Sequence, residues 1–442
     1  MSQLAGKKVH IRTFGCQMNV YDADVARTML EQAGCVMVAE VADADAVVLV
    51  TCSVRAHAEN RVFSLIGALG RLQARQAGRP VVGIMGCTAQ KLGREYIDRF
   101  PGVSFVIGTQ RAERLVPMLA AAFTGACGAV DTAMERQFVP TLTAEPVPGA
   151  HAAFVAVAVG CSRACAYCIV PQVRGRMNSR PPADILAEAA RLAGRGVVDL
   201  TLLGQNIDAY GRDIHYAPGL AGLLADAAAI PGLRRINFVT SHPADLHDDI
   251  IAVIRDHPVI APFFHLPPQS GSNRVLAAMR RGYTREYYLD LVARIRDGLP
   301  RAEFAGDFIV GFPGETEADF DASARLLAEV GFQQAYIFKY SPRENTPAAG
   351  LPDDVPLAEK KRRNNALLDL QEGIQLARHR SFVGREVAIL VEGPSKNDQA
   401  RFIGRTATNF RVIFDPAGTR PGDLVAVRIR EVTPLTLYGD KV

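Results

Sequence analysis

Residues 153–168 read Ala153-Phe154-Val155-Ala156-Val157-Ala158-Val159-Gly160-Cys161-Ser162-Arg163-Ala164-Cys165-Ala166-Tyr167-Cys168. Seven apolar residues in a row have the length of a buried strand, and a glycine and three cysteines form a short loop at its end. The spacing C-x3-C-x2-C puts three thiolates on one tight loop, where each can reach a different iron of a cubane cluster. Such clusters usually take four cysteines, so a loop offering three leaves one iron open to an outside ligand. A zinc site short of its fourth ligand, or buried cysteines without a metal, are the competing readings. The spacing at a strand end disfavours both.

The same rhythm continues downstream. Strand-like runs at 197–203, 235–239, 263–266, 304–310 and 335–338 are each followed by a polar or glycine-bearing segment, at 204–208, 240–243, 267–272, 311–316 and 341–347. With 153–159 these make six βα repeats, a barrel or part of one. In βα barrels the loops after the strands share the face that carries the chemistry. Gln205, Asn206 and Glu315 lie on such loops and are candidates for contacting a cofactor, with loop hydrogen bonding as the plainer alternative. His242 and His265 share that face, but a lone histidine beside proline reads as a structural residue and not a metal ligand.

Upstream, apolar runs at 9–14, 46–50, 81–85 and 103–107 alternate with helical stretches, the pattern of a parallel α/β domain. Cys16, Cys52 and Cys87 follow three of these runs at intervals of 36 and 35 residues. Strand C-termini of an open parallel sheet lie along one edge, so the three can meet in one metal site; isolated thiols capping buried strands are the alternative. Cys35 and Cys127 follow helical stretches and read as structural or incidental.

A Pro/Thr/Ala-rich stretch at 140–149 reads as a connector, and residues 357–380 as a charged helix. Strand-like runs at 386–391, 411–414 and 424–429 suggest a small all-β barrel. The expected fold is therefore α/β: an N-terminal parallel-sheet domain (6–125), a central partial (β/α)6 barrel (150–380) and a C-terminal small all-β barrel (381–442).

At 442 residues, 48% hydrophobic and 22% charged, the chain has the composition of a globular protein of several domains. No apolar run approaches the roughly 20 residues that span a bilayer, and no secretory signal precedes the first strand, so a cytoplasmic location is expected. In a reducing compartment eight cysteines point to metal binding or catalysis rather than disulfides. Net charge is only +4, but residues 161–182 carry Arg163, Arg174, Arg176 and Arg180 with no acid. Such a patch beside the reactive face would position phosphates. Residues 357–385 carry seven basic residues against three acids, which fits either phosphate contact or a solvated basic helix, whereas 381–442 carry nine basic against seven acidic residues.

The compact cysteine triad resembles that of the radical S-adenosylmethionine superfamily. That resemblance implies that the cofactor's amino and carboxylate groups bind the open iron, that one-electron reduction yields a 5′-deoxyadenosyl radical, and that Tyr167 lies near the cofactor adenine, unless it merely packs beneath the loop. Gly15-Cys16-Gln17-Met18-Asn19, Thr51-Cys52-Ser53-Val54-Arg55 and Gly86-Cys87-Thr88-Ala89-Gln90 look like the motifs of the methylthiotransferases, a branch with a second cluster on its N-terminal domain. The likeness continues through Leu202 to Asn206, Thr240 to Pro243, His265 to Ser272 and Asp307 to Thr316, and Val391 to Lys396 with Gly404 to Thr406 resemble the RNA-binding TRAM module.

The family implies two 4Fe-4S clusters, held by Cys161, Cys165 and Cys168 and by Cys16, Cys52 and Cys87. S-adenosylmethionine would serve both as radical source and as methyl donor. The substrate implied is the anticodon stem-loop of tRNA, with a methylthio group added at adenine carbon 2 of N6-dimethylallyladenosine; relatives act on threonylcarbamoyl-adenosine or on a ribosomal-protein aspartate. An electron donor and a sulfur source are further partners, no membrane is involved, and a monomer is expected. The alternatives from another class are a non-enzymatic iron–sulfur electron carrier and an RNA-binding module with a structural metal; an all-cysteine electron-transfer cluster normally has four ligands, whereas this chain offers three twice. Met177, Pro268, Glu344-Asn345 and Ser162-Arg163-Ala164 depart from the family pattern and bear on substrate preference.

Overall fold

The computed structural model describes residues 3–53, 56–75, 79–135, 141–416 and 418–442. Val54 and Arg55 of the second cysteine motif, and Pro140 of the connector, lie outside the described residues. No described helix is long and apolar enough to cross a membrane.

The N-terminal region runs β1 (Lys8–Thr13), α1 (Gln17–Gln32), β2 (Val36–Met37), β3 (Ala46–Thr51), α2 (Ala56–Arg75), β4 (Val81–Gly86), α3 (Cys87–Leu92), α4 (Arg94–Arg99), β5 (Val103–Ile107), α5 (Leu115–Phe123) and β6 (Ala129–Asp131). The strands form one parallel sheet in the order β2-β1-β3-β4-β5-β6. Every residue of β3 is buried, because both faces of a parallel sheet are covered and the alternation of polar and apolar positions disappears. Val48 and Val50 meet Leu30 of α1 and Leu119 of α5 on one face. Val47 and Leu49 meet Val62 and Ile66 of α2 on the other. The short edge strands β2 and β6 were not legible in the sequence.

The described part of the expected connector, 141–149, is held by contacts at Leu142 and Glu145. The Leu142 carbonyl accepts from the Tyr21 hydroxyl at 3.3 Å, the Glu145 amide donates to Thr28 Oγ1 at 2.9 Å, and the Glu145 carboxylate pairs with Arg191 and Arg195. Residues 141–145 thus strap the N-terminal sheet to the barrel rather than linking the two loosely.

The central region runs β7 (Ala152–Ala156), β8 (Ala158–Val159), α6 (Val170–Val173), β9 (Asn178–Ser179), α7 (Pro182–Gly194), β10 (Asp199–Leu203), α8 (Gly219–Ala228), β11 (Arg235–Phe238), α9 (Asp248–Asp256), β12 (Phe263–His265), α10 (Asn273–Ala278), α11 (Arg285–Gly298), β13 (Glu303–Val310), α12 (Glu317–Val330), β14 (Gln334–Lys339) and α13 (Leu357–Arg380). Strands β7, β10 and β11 pair in parallel, as do β12, β13 and β14. A single parallel bridge, Ile236 to Ile260, joins the two sets. Among the described residues β7 and β14 do not pair, so this is a partial (β/α)6 barrel. The run 153–159 is not one strand: it breaks at Val157, and β8 turns away to pair antiparallel with β9.

The tail is a closed five-stranded barrel of β15 (Glu386–Pro394), β16 (Phe402–Arg405), β17 (Arg411–Phe414), β18 (Leu424–Val432) and β19 (Leu437–Lys441), in the order β15-β16-β17-β19-β18. It docks at the N-terminal end of β11, where Arg235 donates to the carbonyls of Arg405 (3.1 Å) and Thr406 (3.2 Å) and Arg234 to that of Gly422 (2.9 Å). The cysteine loop follows the opposite, C-terminal end of the strands.

Candidate metal centres

Strands β1, β3 and β4 are immediate neighbours, with Thr13 beside Val50 and Thr51 beside Gly86. Cys16, Cys52 and Cys87 therefore leave three adjacent strand ends. Gly15 has φ +109°, and a Cβ built there would lie 2.2 Å from Cys52 Cβ and 2.7 Å from its sulfur. Only glycine lets the Cys16 loop approach Cys52 so closely. Asn19 joins the loops, its Nδ2 donating to the carbonyls of Phe14 (2.7 Å) and Thr51 (2.8 Å). Thr51 Oγ1 donates to Met85 O at 2.7 Å and accepts from the Ala89 amide at 3.3 Å, tying in the third loop.

Arg174 enters this site from the central barrel. Its Nε donates to Cys87 Sγ at 3.2 Å, and its NH2 group to Asn19 Oδ1 at 3.1 Å and Asp22 Oδ2 at 2.6 Å. A hydrogen bond from the Cys52 thiol, helped by the Arg174 charge, brings the Cys16 thiol down to about 6 against the opposing effect of burial. Burial pushes the Cys87 thiol up, and Arg174 opposes it. A cavity of about 270 Å³ opens beside Asp22, Gly86, Thr109 and Arg174.

The compact triad is pinned by its backbone: Cys161 N donates to Gly175 O (3.1 Å), Ala166 N to Met279 O (2.9 Å) and Cys168 N to Cys165 O (3.1 Å). Gly160, at φ +86°, lies so close to residues 175 and 176 that a Cβ would meet Arg176 O at 2.2 Å. Arg281 donates to Cys165 Sγ at 3.3 Å and to the Tyr167 hydroxyl at 3.4 Å. Burial raises the Cys161 thiol, and it pushes the Cys168 thiol up to about 12.

Each triad thus has one buried guanidinium donating to a cysteine sulfur. Clustered thiolates are costly to bury without counter-charge, and N–H donors to sulfur are a means by which proteins tune iron–sulfur groups. Among the described residues no three Cys, His, Asp or Glu side chains converge as ligands of a single ion. Three thiolates serving three separate irons need no such convergence. The donor set fits a cluster better than a mononuclear zinc site.

The two centres are connected by residues 168–174. Ile169, next to Cys168, and Val173 both pack against Cys87, and Thr109 Oγ1 donates to Val173 O at 2.5 Å. One turn, α6, separates a cysteine of one triad from the arginine that serves the other.

The remaining predicted residues have distinct surroundings. Tyr167 is half-buried among Ala166, Met279, Phe312 and Tyr340. Gln205 Oε1 accepts from the Gly160 amide, tying the loop after β10 to the cysteine loop. Asn206 Nδ2 donates to Asp245 at 2.8 Å, while its buried Oδ1 has no partner. His242 Nδ1 accepts from the Ala244 amide at 3.3 Å, so its Nε2, also buried and unpartnered, carries the ring hydrogen. Burial, with Arg281 and Arg163 nearby, holds this ring neutral, down to about 2. The Glu315 carboxylate accepts from the Gly311 amide (2.8 Å) and from Arg363 (2.7 Å). His265 lies 3.4 Å from Asp307.

The phosphate-positioning patch expected at 161–182 is not formed. Arg163 pairs with Asp245 (2.7 Å), Arg180 with Glu188 (2.6 Å, both buried) and Arg174 with Asp22, leaving only Arg176 exposed. Charge on the long helix is largely spent as well: Lys360 pairs with Asp353, Arg362 with Glu317 and Arg363 with Glu315. Helix α13 instead lies along β14, where Asn364 donates to Ile337 O at 2.9 Å. Asn19, Thr51 and Arg281 were missed as site residues, since nothing local marks a polar side chain that will bridge distant loops.

Three family models match the chain: the radical SAM superfamily over residues 155–327, the uncharacterized protein family UPF0004 over 8–108 and the TRAM domain over 380–442. A Carboxydothermus hydrogenoformans protein named tRNA-2-methylthio-N(6)-dimethylallyladenosine synthase is 43% identical over 439 residues, covering 99% of both chains. A Moorella thermoacetica protein of the same name is 41% identical over 445 residues, again covering 99% of both. Among solved structures, a radical S-adenosylmethionine methyltransferase from Kitasatospora setae, with cobalamin and a 4Fe-4S cluster bound, shares the fold at TM-score 0.56 and 15% identity, covering 78% of this chain and 77% of that one. With its likeness to the curated relatives running from end to end, the chain belongs to the radical S-adenosylmethionine methylthiotransferases.

Proposed function

We propose that the chain adds a methylthio group to adenine carbon 2 of N6-dimethylallyladenosine in the anticodon stem-loop of tRNA, giving 2-methylthio-N6-dimethylallyladenosine. The observation that supports this reading is the junction at residues 168–174, where Ile169, Val173 and Arg174, just after the compact cysteine loop, contact Cys87 of the spaced set. When bound, S-adenosylmethionine and two 4Fe-4S clusters supply one-electron and sulfur-transfer chemistry to a carbon–hydrogen bond that no ordinary side-chain base can open. Cys161, Cys165 and Cys168 would hold one cluster and Cys16, Cys52 and Cys87 the other.

The protein's own groups hold and orient. Arg281 and Arg174 supply N–H donors and counter-charge to the two sulfur sets. Gln205 fixes the cysteine loop through Gly160, and Asn206 keeps an unfilled acceptor on the same face, where with Tyr167 it would contact the cofactor. Glu315 serves that site through the 311–315 turn that it braces. Residues 6–125, 150–380 and 381–442 are the working units. Because one chain carries both cysteine sets, a monomer suffices, acting in the cytoplasm with an external electron donor and sulfur source.

The test is anaerobic reconstitution with iron and sulfide, followed by reductant, S-adenosylmethionine and tRNA from a strain lacking the modification. Both 5′-deoxyadenosine and the methylthiolated nucleoside are expected. Absence of deoxyadenosine from protein shown to hold its iron would overturn the radical reading; deoxyadenosine without the nucleoside would overturn the substrate.

A further inference from the structure

Strand β1 and the residue after it carry on their α2-facing side a groove that none of the cysteines lines. His10, Arg12 and Phe14 sit at alternate positions of this chain segment and share one face. With residues 39–41 and with Asn60, Arg61 and Ser64 of α2 they line a cavity of about 510 Å³. That volume lies within the range of sites for small molecules or a single nucleotide.

Three observations give the groove a chemistry. Neither Arg12 nor Arg61 forms an ion pair among the described residues, unlike Arg163, Arg174 and Arg180; the Arg61 guanidinium lies over the Phe14 ring, 5.8 Å from its centre. Glu40 is the one acid in the lining. His10 is 7% exposed, and its Nε2 is buried without a hydrogen-bond partner. His10 Nδ1 lies 3.2 Å from the Val38 carbonyl, which can only accept, so the tautomer that this contact selects has its hydrogen on Nδ1 and a lone pair on Nε2. The groove therefore presents two cations to an anion and one acceptor to a hydroxyl. A phosphate with its neighbouring ribose has both features, and the 2′-hydroxyl is the group that separates RNA from DNA.

We propose that this groove binds one ribonucleotide unit of the RNA substrate, with the phosphate on Arg12 and Arg61 and the ribose hydroxyl donating to His10 Nε2. The small β-barrel docks at the far end of the central strands, and the arginines of 161–182 are neutralised except Arg176. Phosphates close to the cysteine face thus need another source of charge. Arg12 is four residues from Cys16, at most about 13 Å even along a fully extended chain, so a nucleotide held here lies close to the N-terminal cysteine set.

The proposal rests on the RNA substrate assigned above, and the test separates the two. A labelled anticodon stem-loop carrying N6-dimethylallyladenosine, its DNA counterpart and AMP as competitor are titrated against reconstituted wild-type protein and the Arg12→Ala/Arg61→Ala variant over a salt series. We expect the variant to bind RNA at least ~10-fold more weakly, with the salt dependence reduced by about two counterions. Deoxyadenosine formed without RNA should be unchanged. A walk of single 2′-deoxy substitutions along the RNA should find one position that weakens wild-type binding, a readout that needs no variant at buried His10. Equal affinity and equal salt dependence in wild type and variant would overturn the groove while leaving the substrate reading intact. Failure of wild type to bind the RNA would overturn both. Sensitivity of AMP binding alone to the arginine pair would assign the groove to a free nucleotide and overturn the RNA assignment.

Discussion

Arg174 Nε lies 3.2 Å from Cys87 Sγ, so a guanidinium from the central barrel donates to a sulfur of the N-terminal sheet. The same side chain is 3% exposed and pairs with Asp22, which is 21% exposed. It pairs with a carboxylate, donates to a sulfur and ties the central barrel to the N-terminal sheet.

Arg174→Ala should reduce the iron held by the N-terminal triad and abolish methylthiolation, while deoxyadenosine formation without tRNA persists. Because Asp22 keeps some contact with water, the stability loss should be about 2–3 kcal/mol, below that of a fully buried broken pair. Arg174→Lys retains charge but not the fork that reaches sulfur, Asn19 and Asp22 together, so it should recover stability more than product. Denaturant titration and iron counting check this; wild-type iron and full product in Arg174→Ala would refute it.

Cys52→Ala and Cys168→Ala should part company. The first should lower bound iron toward half and abolish methylthiolation but keep deoxyadenosine; the second should lose deoxyadenosine. Iron and product analysis of both variants decides the point, and unchanged iron in Cys52→Ala would show that the spaced triad is not a ligand set.

Asp208 carries a pH signature. Burial raises its carboxyl from 3.8 to about 7, against hydrogen bonds from the His242 amide and the Ser241 hydroxyl. Between these two values the folded chain holds a proton that the unfolded chain has released. Stability linked to this group is therefore present below the lower value and lost as pH rises through about 7. Asp208→Asn cannot ionise, so its melting temperature relative to wild type should rise between pH 5 and pH 8. A difference that stays flat or falls over that interval would contradict the assignment.

Glu315 and Arg363 form a buried pair at 2.7 Å between the 311–315 turn and α13. Arg363→Met strands the carboxylate and should cost about 3–5 kcal/mol, whereas Glu315→Gln/Arg363→Met should cost less because no charge is left buried. Urea denaturation of the two singles and the double measures the coupling; simple additivity would mean that the pair is not what braces the turn.

The elements that the sequence located well are those specified by local periodicity. Residues 103–107, 411–414 and 357–380 end where the alternation or the helical run ends. Elements of two or three residues, such as β2 and β6, have no period to read, and the break at Val157 is hidden because an apolar run reads the same whether or not the chain turns within it.

The sequence by itself determined that three cysteines crowd one loop and that three more end successive strands, since both follow from spacing along the chain. It could not show that β2 is pushed to the sheet edge, the arrangement that makes β1, β3 and β4 neighbours and brings Cys16, Cys52 and Cys87 together. Nor could it show that Arg163, Arg174 and Arg180 are consumed by Asp245, Asp22 and Glu188 while Arg12 and Arg61 stay free of ion pairs among the described residues. Periodicity is a property of neighbours in the chain. The partner of a charge is chosen by long-range packing, where burial makes an unpaired ion too costly to leave, and only the tertiary structure decides it.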